Sequence, residues 1–317
     1  MPNVLALRPT APAIVVVPSA GESVVLGTGP VRDASGATGD GELVGAWLAS
    51  KRSAHTRRAY EADALGFLAS LDAMGGRTLR TATARDVQAW AAGLEGAPAT
   101  RARRIASAKS LLTFGHRLGY LAVNVGGVLV NPAIPNELAQ RILEPDDVRA
   151  LVAHSAPGRD VTLIRFLYGT GARISEACGL RWEHVQPIAS GGAVVTLHGK
   201  GGKTRHVHLA EGYARAVLEL RPDGAASDAP VFVSARGVAL GTDVAARIVR
   251  GAAGRAGLGG RKVSPHWLRH AHASHALVNG ADVALVRDCL GHASLATTSR
   301  YTHARPNDGA SRYLATV

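Results

Sequence analysis

Apolar positions along the chain fall into two regions of regular spacing, separated by a proline-rich break. In SAHTRRAYEADALGFLASLDAMGG, Tyr60, Ala64, Phe67, Leu68 and Leu71 share one helical face, and Gly75-Gly76 ends the run. Thr83 with Asp86 has the form of a capping box ahead of Val87, Trp90, Ala91 and Leu94. Thr100 announces a third helix through Leu111, Phe114, Leu118 and Leu121, with Arg101, Arg103, Arg104, Lys109 and Arg117 on it. No strand signal precedes residue 131, so residues 42–131 predict a small helical bundle with a basic surface. Two prolines in NPAIPNEL mark a linker over 132–140.

The second region, 141–317, is also mostly helical. Pro145 suits a first helical turn, with Val148, Leu151 and Val152 on the buried side. A helix over about Arg159 to Tyr168 leads into the turn GTGA and a short helix carrying Arg173. GGAVVTLHGKGGKTRHVHL reads as two β-rich runs around a glycine-rich connection, a hairpin with Lys200 and Lys203 near its turn. A further helix is predicted across 242–256, and Ser264-Pro265 starts a histidine-rich one.

Residues 1–41 are rich in Gly, Ala, Pro and Ser without a sustained period and read as a mostly disordered leader. Its AIVVV run is short, flanked by prolines and without a basic leader, which makes a poor signal peptide. No apolar run is long enough to span a bilayer, and the expected location is the cytoplasm, on the nucleoid. Two cysteines, Cys178 and Cys289, form no CxxC and suggest neither a disulfide framework nor a thiolate metal site.

Charge narrows the partner. Lys and Arg number 36 against 24 Asp and Glu, a net charge of +12. The excess is spread over both regions, with 12 basic against 6 acidic side chains in 42–131 and 22 against 14 in 141–317. Two basic folded parts fit a polyanion held between them, and nucleic acid is the first expectation.

HWLRHAHASH (266–275) places four histidines in ten positions and raises the question of zinc. His266 and His270 have i,i+4 spacing, but Trp267 stands where a zinc protease would carry Glu, Arg269 sets a cation beside the pair, and no downstream His/Glu spacing completes a site.

Four segments, GTGARISEACGLRW (169–182), HGKGGKTRHVHL (198–209), HWLRHAHASH and LGHASLATTSRYTHA (290–304), resemble the tyrosine recombinases, the phage-integrase-type family that includes Xer- and Cre-like enzymes. The family's order of Arg, hairpin Lys, His-x-x-Arg, His and Tyr falls on Arg173, Lys200, His266, Arg269, His292 and Tyr301. The resemblance implies a mainly α chain: an N-terminal helical core-binding (SAM-like) bundle, then a mostly helical catalytic domain with a small antiparallel β-sheet. It also implies attack of Tyr301 on a DNA phosphodiester to give a 3′-phosphotyrosine and a free 5′-hydroxyl, reversed by the 5′-hydroxyl of a partner strand. The phosphoester stays in the covalent link, so neither ATP nor a metal is called for. Arg173, Arg269 and His292 would hold the non-bridging oxygens, nearby cationic donors or proton acceptance by His266 would help Tyr301 ionise, and Lys200, ahead of Lys203, would protonate the leaving oxygen.

Around that set, Glu176 is expected to orient Arg173, and His270, with His275, to support the site from behind; His272 is given no role. Arg101, Arg103, Arg104, Lys109, Lys203 and Arg205 are the expected DNA contacts. Implied partners are double-stranded DNA clamped between the two domains, a homotetramer on two recombination sites, and accessory DNA-bending proteins; SRYLATV at the C-terminus is a docking element for the neighbouring subunit. Two other readings of the same scaffold are a non-catalytic DNA-binding protein, which should have lost one of the six residues, and a type IB topoisomerase that relaxes DNA.

Overall fold

The helix boundaries of the first region are written largely in its caps. The structure, a computed structural model, describes residues 33–133, 137–189, 191–199, 202–292, 294–299 and 301, with His55 described by its backbone alone. It divides into two compact units, residues 1–135 and 136–317, a break inside the proline-bearing 132–140 segment.

In the first unit, α1 (Asp40–Ala49), α2 (Ala54–Ala73), α3 (Ala84–Ala92) and α4 (Pro98–Arg117) form the bundle. The Ser53 hydroxyl accepts from the Thr56 amide at the start of α2, and Thr83 and Asp86 make the reciprocal capping box of α3. Pro98 sits in the first turn of α4, and the chain leaves α4 at Gly119 with φ +77°, so Leu121 packs from beyond the helix. Phe67 meets Trp90 at 4.5 Å between ring centroids, and Trp47 stacks on Tyr60 at 5.3 Å.

Of the expected leader, residues 1–32 lie outside the described residues, and 33–41 are not disordered but built into this unit. The Ala34 amide donates to Leu118 O at 2.8 Å, Arg80 pairs with Asp33 at 2.8 Å, and Asp40 accepts from the Leu79 amide at 2.8 Å and the Tyr120 hydroxyl at 2.7 Å. The reason is α1 itself: Leu43, Val44 and Trp47 fill the bundle core, and the residues just ahead of them are ordered with it.

The second unit carries α5 (Pro145–Ala153), α6 (Arg159–Thr170), α7 (Ile174–Cys178), β1 (Val185–Pro187), β2 (Ala193–His198), β3 (Thr204–Leu209), α8 (Glu211–Leu218), α9 (Thr242–Arg255), α10 (Pro265–Val278), α11 (Val283–Leu290) and α12 (Leu295–Ser299). The hairpin β2-β3 is present, and β1 extends it to a three-stranded antiparallel sheet, with Val185 opposite Val195 and Val195 opposite Val207. Period-2 alternation buries Ala193, Val195 and Leu197 on β2 and Val207 and Leu209 on β3 against the helices. Phe166 of α6 meets Phe232 edge to face at 5.5 Å in that core. Among the described residues no helix is long and apolar enough to cross a membrane.

Candidate active site

The site is assembled around the end of α6 and the start of α10. Gly171 closes α6 with φ +61°, a left-handed conformation open to glycine, and a Cβ there would come within 2.7 Å of His272 Cδ2 and 2.8 Å of Leu290 Cδ2. This tight turn delivers Arg173 as the N-cap of α7, one position ahead of the helix on which it was expected.

Glu176 lies behind Arg173 with its side chain 1% exposed. Its carboxylate accepts from the Arg173 amide at 2.7 Å and Arg173 Nη1 at 2.8 Å, and from both terminal nitrogens of Arg205 at 2.8 and 2.7 Å. Burial alone would raise its pKa, but the hydrogen bonds from Arg205 and from the Arg173 amide outweigh it and hold the carboxyl down at about 2. The expected orienting contact to Arg173 is therefore made, and half of the carboxylate's partners come from Arg205.

Arg269 is 1% exposed and its fork is already engaged: Nη1 donates to Gly171 O and Nη2 to Leu290 O, both at 2.6 Å. Burial, then the charges of Arg173 and Arg205, lower its pKa to about 10, so it remains cationic at neutral pH. His292 follows α11, its Nδ1 2.9 Å from the buried Thr298 hydroxyl. Burial, then Arg269 and Arg173, push its pKa down to about 4. If the Thr298 hydroxyl donates to Nδ1, the neutral ring carries its proton on Nε2. His266 is lowered too, by burial first and then by Arg269, Arg173 and Arg141.

Tyr301 is buried, and its hydroxyl shares a 2.7 Å hydrogen bond with His270 Nδ1. His270 in turn packs edge to face on His266, centroids 4.4 Å apart. His266 was one expected acceptor of the tyrosine proton; in this structure the contact with the hydroxyl is made by His270. His272 finds an account as well. Its Nδ1–H donates to Tyr168 O at 2.7 Å, and the Tyr168 hydroxyl meets His275 Nδ1 at 2.9 Å, so two histidines that lack a chemical task fasten α10 to α6.

A cleft of about 190 Å³ opens on this assembly, lined by Arg173, Gly199, Lys203, Thr204, Arg205, Gly291 and His292. Arg269 and Tyr301 are not part of its lining, and Lys200 lies outside the described residues, as does SRYLATV. The cleft joins an exposed guanidinium edge, a lysine and a neutral imidazole, a donor set for an anion with tetrahedral oxygens. Residues 141–308 match the model of the phage integrase family, and residues 46–118 match that of the phage integrase N-terminal SAM-like domain.

The chain belongs to the phage integrase family of tyrosine recombinases. It is 39% identical to the tyrosine recombinase XerC of Rhodospirillum centenum over 282 residues, covering 82% of this chain and 81% of that protein. It is 34% identical to the XerD of Neisseria meningitidis, covering 81% of this chain and 90% of that one. Such Xer relatives make site-specific recombination the supported activity class for this tyrosine recombinase. The fold is shared with XerH bound to palindromic difH substrate, TM-score 0.66 at 22% identity over 84% of this chain and 81% of that one. It is shared as well with a lambda integrase dimer bound to a COC′ core site, TM-score 0.68 at 15% identity over 86% of this chain and 79% of that one.

The expected DNA contacts of this tyrosine recombinase sort by what already holds them. Arg103 pairs with the buried Asp63, Lys109 donates to Leu129 O at 2.8 Å, and Arg101 has its Nε buried without a partner. Arg104 makes no hydrogen bond or ion pair among the described residues, and Lys203 is exposed on the cleft. Arg205 is the exception, turned inward onto Glu176.

Proposed function

We propose that this chain is a site-specific DNA recombinase working through a 3′-phosphotyrosine, in the integration, excision or dimer resolution of a mobile element, plasmid or chromosome. Tyr301 attacks the scissile phosphorus, its phenolic proton passing to the His266–His270 pair. A Tyr301 Oη–P bond forms, the P–O5′ bond breaks, and the leaving 5′-oxygen takes a proton from Lys200. A 5′-hydroxyl from the partner duplex then reverses each step. Arg173, Arg269 and the His292 Nε2–H balance the charge that builds on the non-bridging oxygens, in a pocket organised before DNA arrives.

The observation that carries the reading is this grouping of side chains: Arg173 and His292 line one cleft, the buried Arg269 is held on Gly171 O and Leu290 O, and the Tyr301 hydroxyl shares a buried hydrogen bond with His270. The substrate is double-stranded DNA and the assembly a homotetramer on two sites, in keeping with the basic surface of both units and with solved relatives described as dimers and a tetramer on DNA. Tyr301→Phe tests it: the variant should keep its affinity for the recombination site yet form no covalent adduct on a nicked suicide duplex. An adduct that persists moves the nucleophile elsewhere.

A further inference from the structure

Arg205 was expected on DNA, yet its side chain is 11% exposed and three of its N–H groups are committed inside the protein. Nη1 and Nη2 form a two-pronged pair with Glu176 at 2.8 and 2.7 Å, and Nε donates to Cys289 O at 2.7 Å. These contacts tie together three elements, each next to a different part of the site. Glu176 belongs to α7, whose N-cap is Arg173. Arg205 itself is on β3, the strand that leaves the Lys200 connection. Cys289 O is one of the last carbonyls of α11, three residues before His292, and the next carbonyl, Leu290 O, takes Arg269. Two guanidiniums therefore satisfy the C-terminal end of α11, where unpaired carbonyls and the helix dipole favour cations. Gly291 then turns with φ +65°, its Cα laid so close on the Arg205 stem that a Cβ would meet Cδ at 3.1 Å.

We infer that Arg205 is a positioning residue of strand cleavage: through Glu176 it fixes the guanidinium of Arg173, and through Cys289 O it fixes the loop that presents His292, so that both face one phosphate. This rests on the recombinase reading above. The fork geometry is what matters, because a lysine keeps the charge but cannot span both carboxylate oxygens and the carbonyl together. Glu176 is faced by Arg173 from its own element, by Arg205 from β3 and by the Arg269 charge from α10, with Gly199 of the β2 end beside Oε1. Losing Arg205 leaves its carboxylate buried with half its partners.

The test uses the full-length protein on a nicked suicide duplex, measuring the single-turnover adduct rate at saturating protein, DNA affinity and the salt dependence of binding. Arg205→Gln and Arg205→Lys should each lower the rate 100-fold or more while affinity stays within about threefold and the salt slope is unchanged. In a Glu176→Gln background, Arg205→Gln should cost less than threefold further, because the two act as one unit. A rate that falls only in step with affinity, with a shallower salt slope, would make Arg205 a DNA contact and overturn the inference. So would an unchanged rate, or full additivity with Glu176→Gln. Arg205→Lys, which preserves the charge against Glu176, decides the matter if Arg205→Gln does not fold. An unmodified chain that forms no adduct would instead bring down the recombinase reading itself, and this inference with it.

Discussion

Arg173 and Arg269 carry the same charge, but the protein holds them differently, and their variants should separate. Arg173 is about one-third exposed and its carboxylate partner keeps Arg205, so Arg173→Ala should cut the adduct rate by at least about 100-fold with little change in melting temperature. Arg269→Ala removes the donors to Gly171 O and Leu290 O in the buried interior, at about 1–3 kcal/mol for each orphaned carbonyl. It should therefore lose activity and also melt several degrees lower, about 2–4 °C per kcal/mol for a chain of this size class. Calorimetry beside the adduct assay checks both. At this scale the residues proposed for catalysis come from the sequence, where order and spacing picked out Arg173, His266, Arg269, His292 and Tyr301. What each one touches does not. The Tyr301 hydroxyl meets His270 rather than His266, because its nearest neighbour depends on how the residues after α11 fold back on α10.

Among the elements, those with strong local chemistry were legible at their ends. The Thr83–Asp86 box and Pro145 mark helix starts that the structure reproduces, because a cap is settled by hydrogen bonds within four residues, whereas the helix expected from Thr100 begins at Pro98. Thr83→Ala should accordingly cost about 1 kcal/mol, read as a shift of the urea midpoint. Elements with weak signals were missed: β1 is three residues long and exists only through its pairing with β2, and α8 is a short helix behind the hairpin. The alternation on β3 did contain the clue to Arg205, which shares a face with Val207 and Leu209 and so points inward like them. A basic side chain on the core face of a strand needs a buried acid, and Glu176 supplies it. The α6–α7 turn is equally constrained: Gly171→Ala meets His272 and Leu290 at under 3 Å in a left-handed backbone and should destabilise by about 1–3 kcal/mol by the same urea measurement.

The whole molecule responds to pH and salt through its buried charges and its basic surface. His266, His272, His275 and His292 all have pKa values lowered by burial, so the unfolded chain binds their protons first as pH falls. Stability should therefore be full above about pH 6.5 and drop as pH falls towards 4. Glu176, held at about 2, extends the loss on further acidification, because its carboxylate must be protonated in the unfolded chain before the folded one. Melting temperatures from about pH 7.5 to 5 would show the fall; a flat profile would contradict the burial of these rings. DNA affinity should fall steeply between about 50 and 200 mM salt. Arg104→Ala should lower the salt slope by about one, whereas Lys109→Ala, already committed to Leu129 O, should change it little.

The sequence by itself determined the helical class, the two-region layout, several helix starts and the set of residues proposed for the chemistry, because caps, periodicity and motif spacing act over a few positions. Only the tertiary structure decided how those residues are held. Arg205 reaches Glu176 across 29 positions and Cys289 across 84, and Arg269 reaches Gly171 across 98. Contacts over such separations follow from packing α10 and the sheet against α6 and α7, and local pattern, even where it turns Arg205 inward, does not name the partner at the far end. The same packing turned a residue that reads as one more surface arginine into the strut on which the site is built.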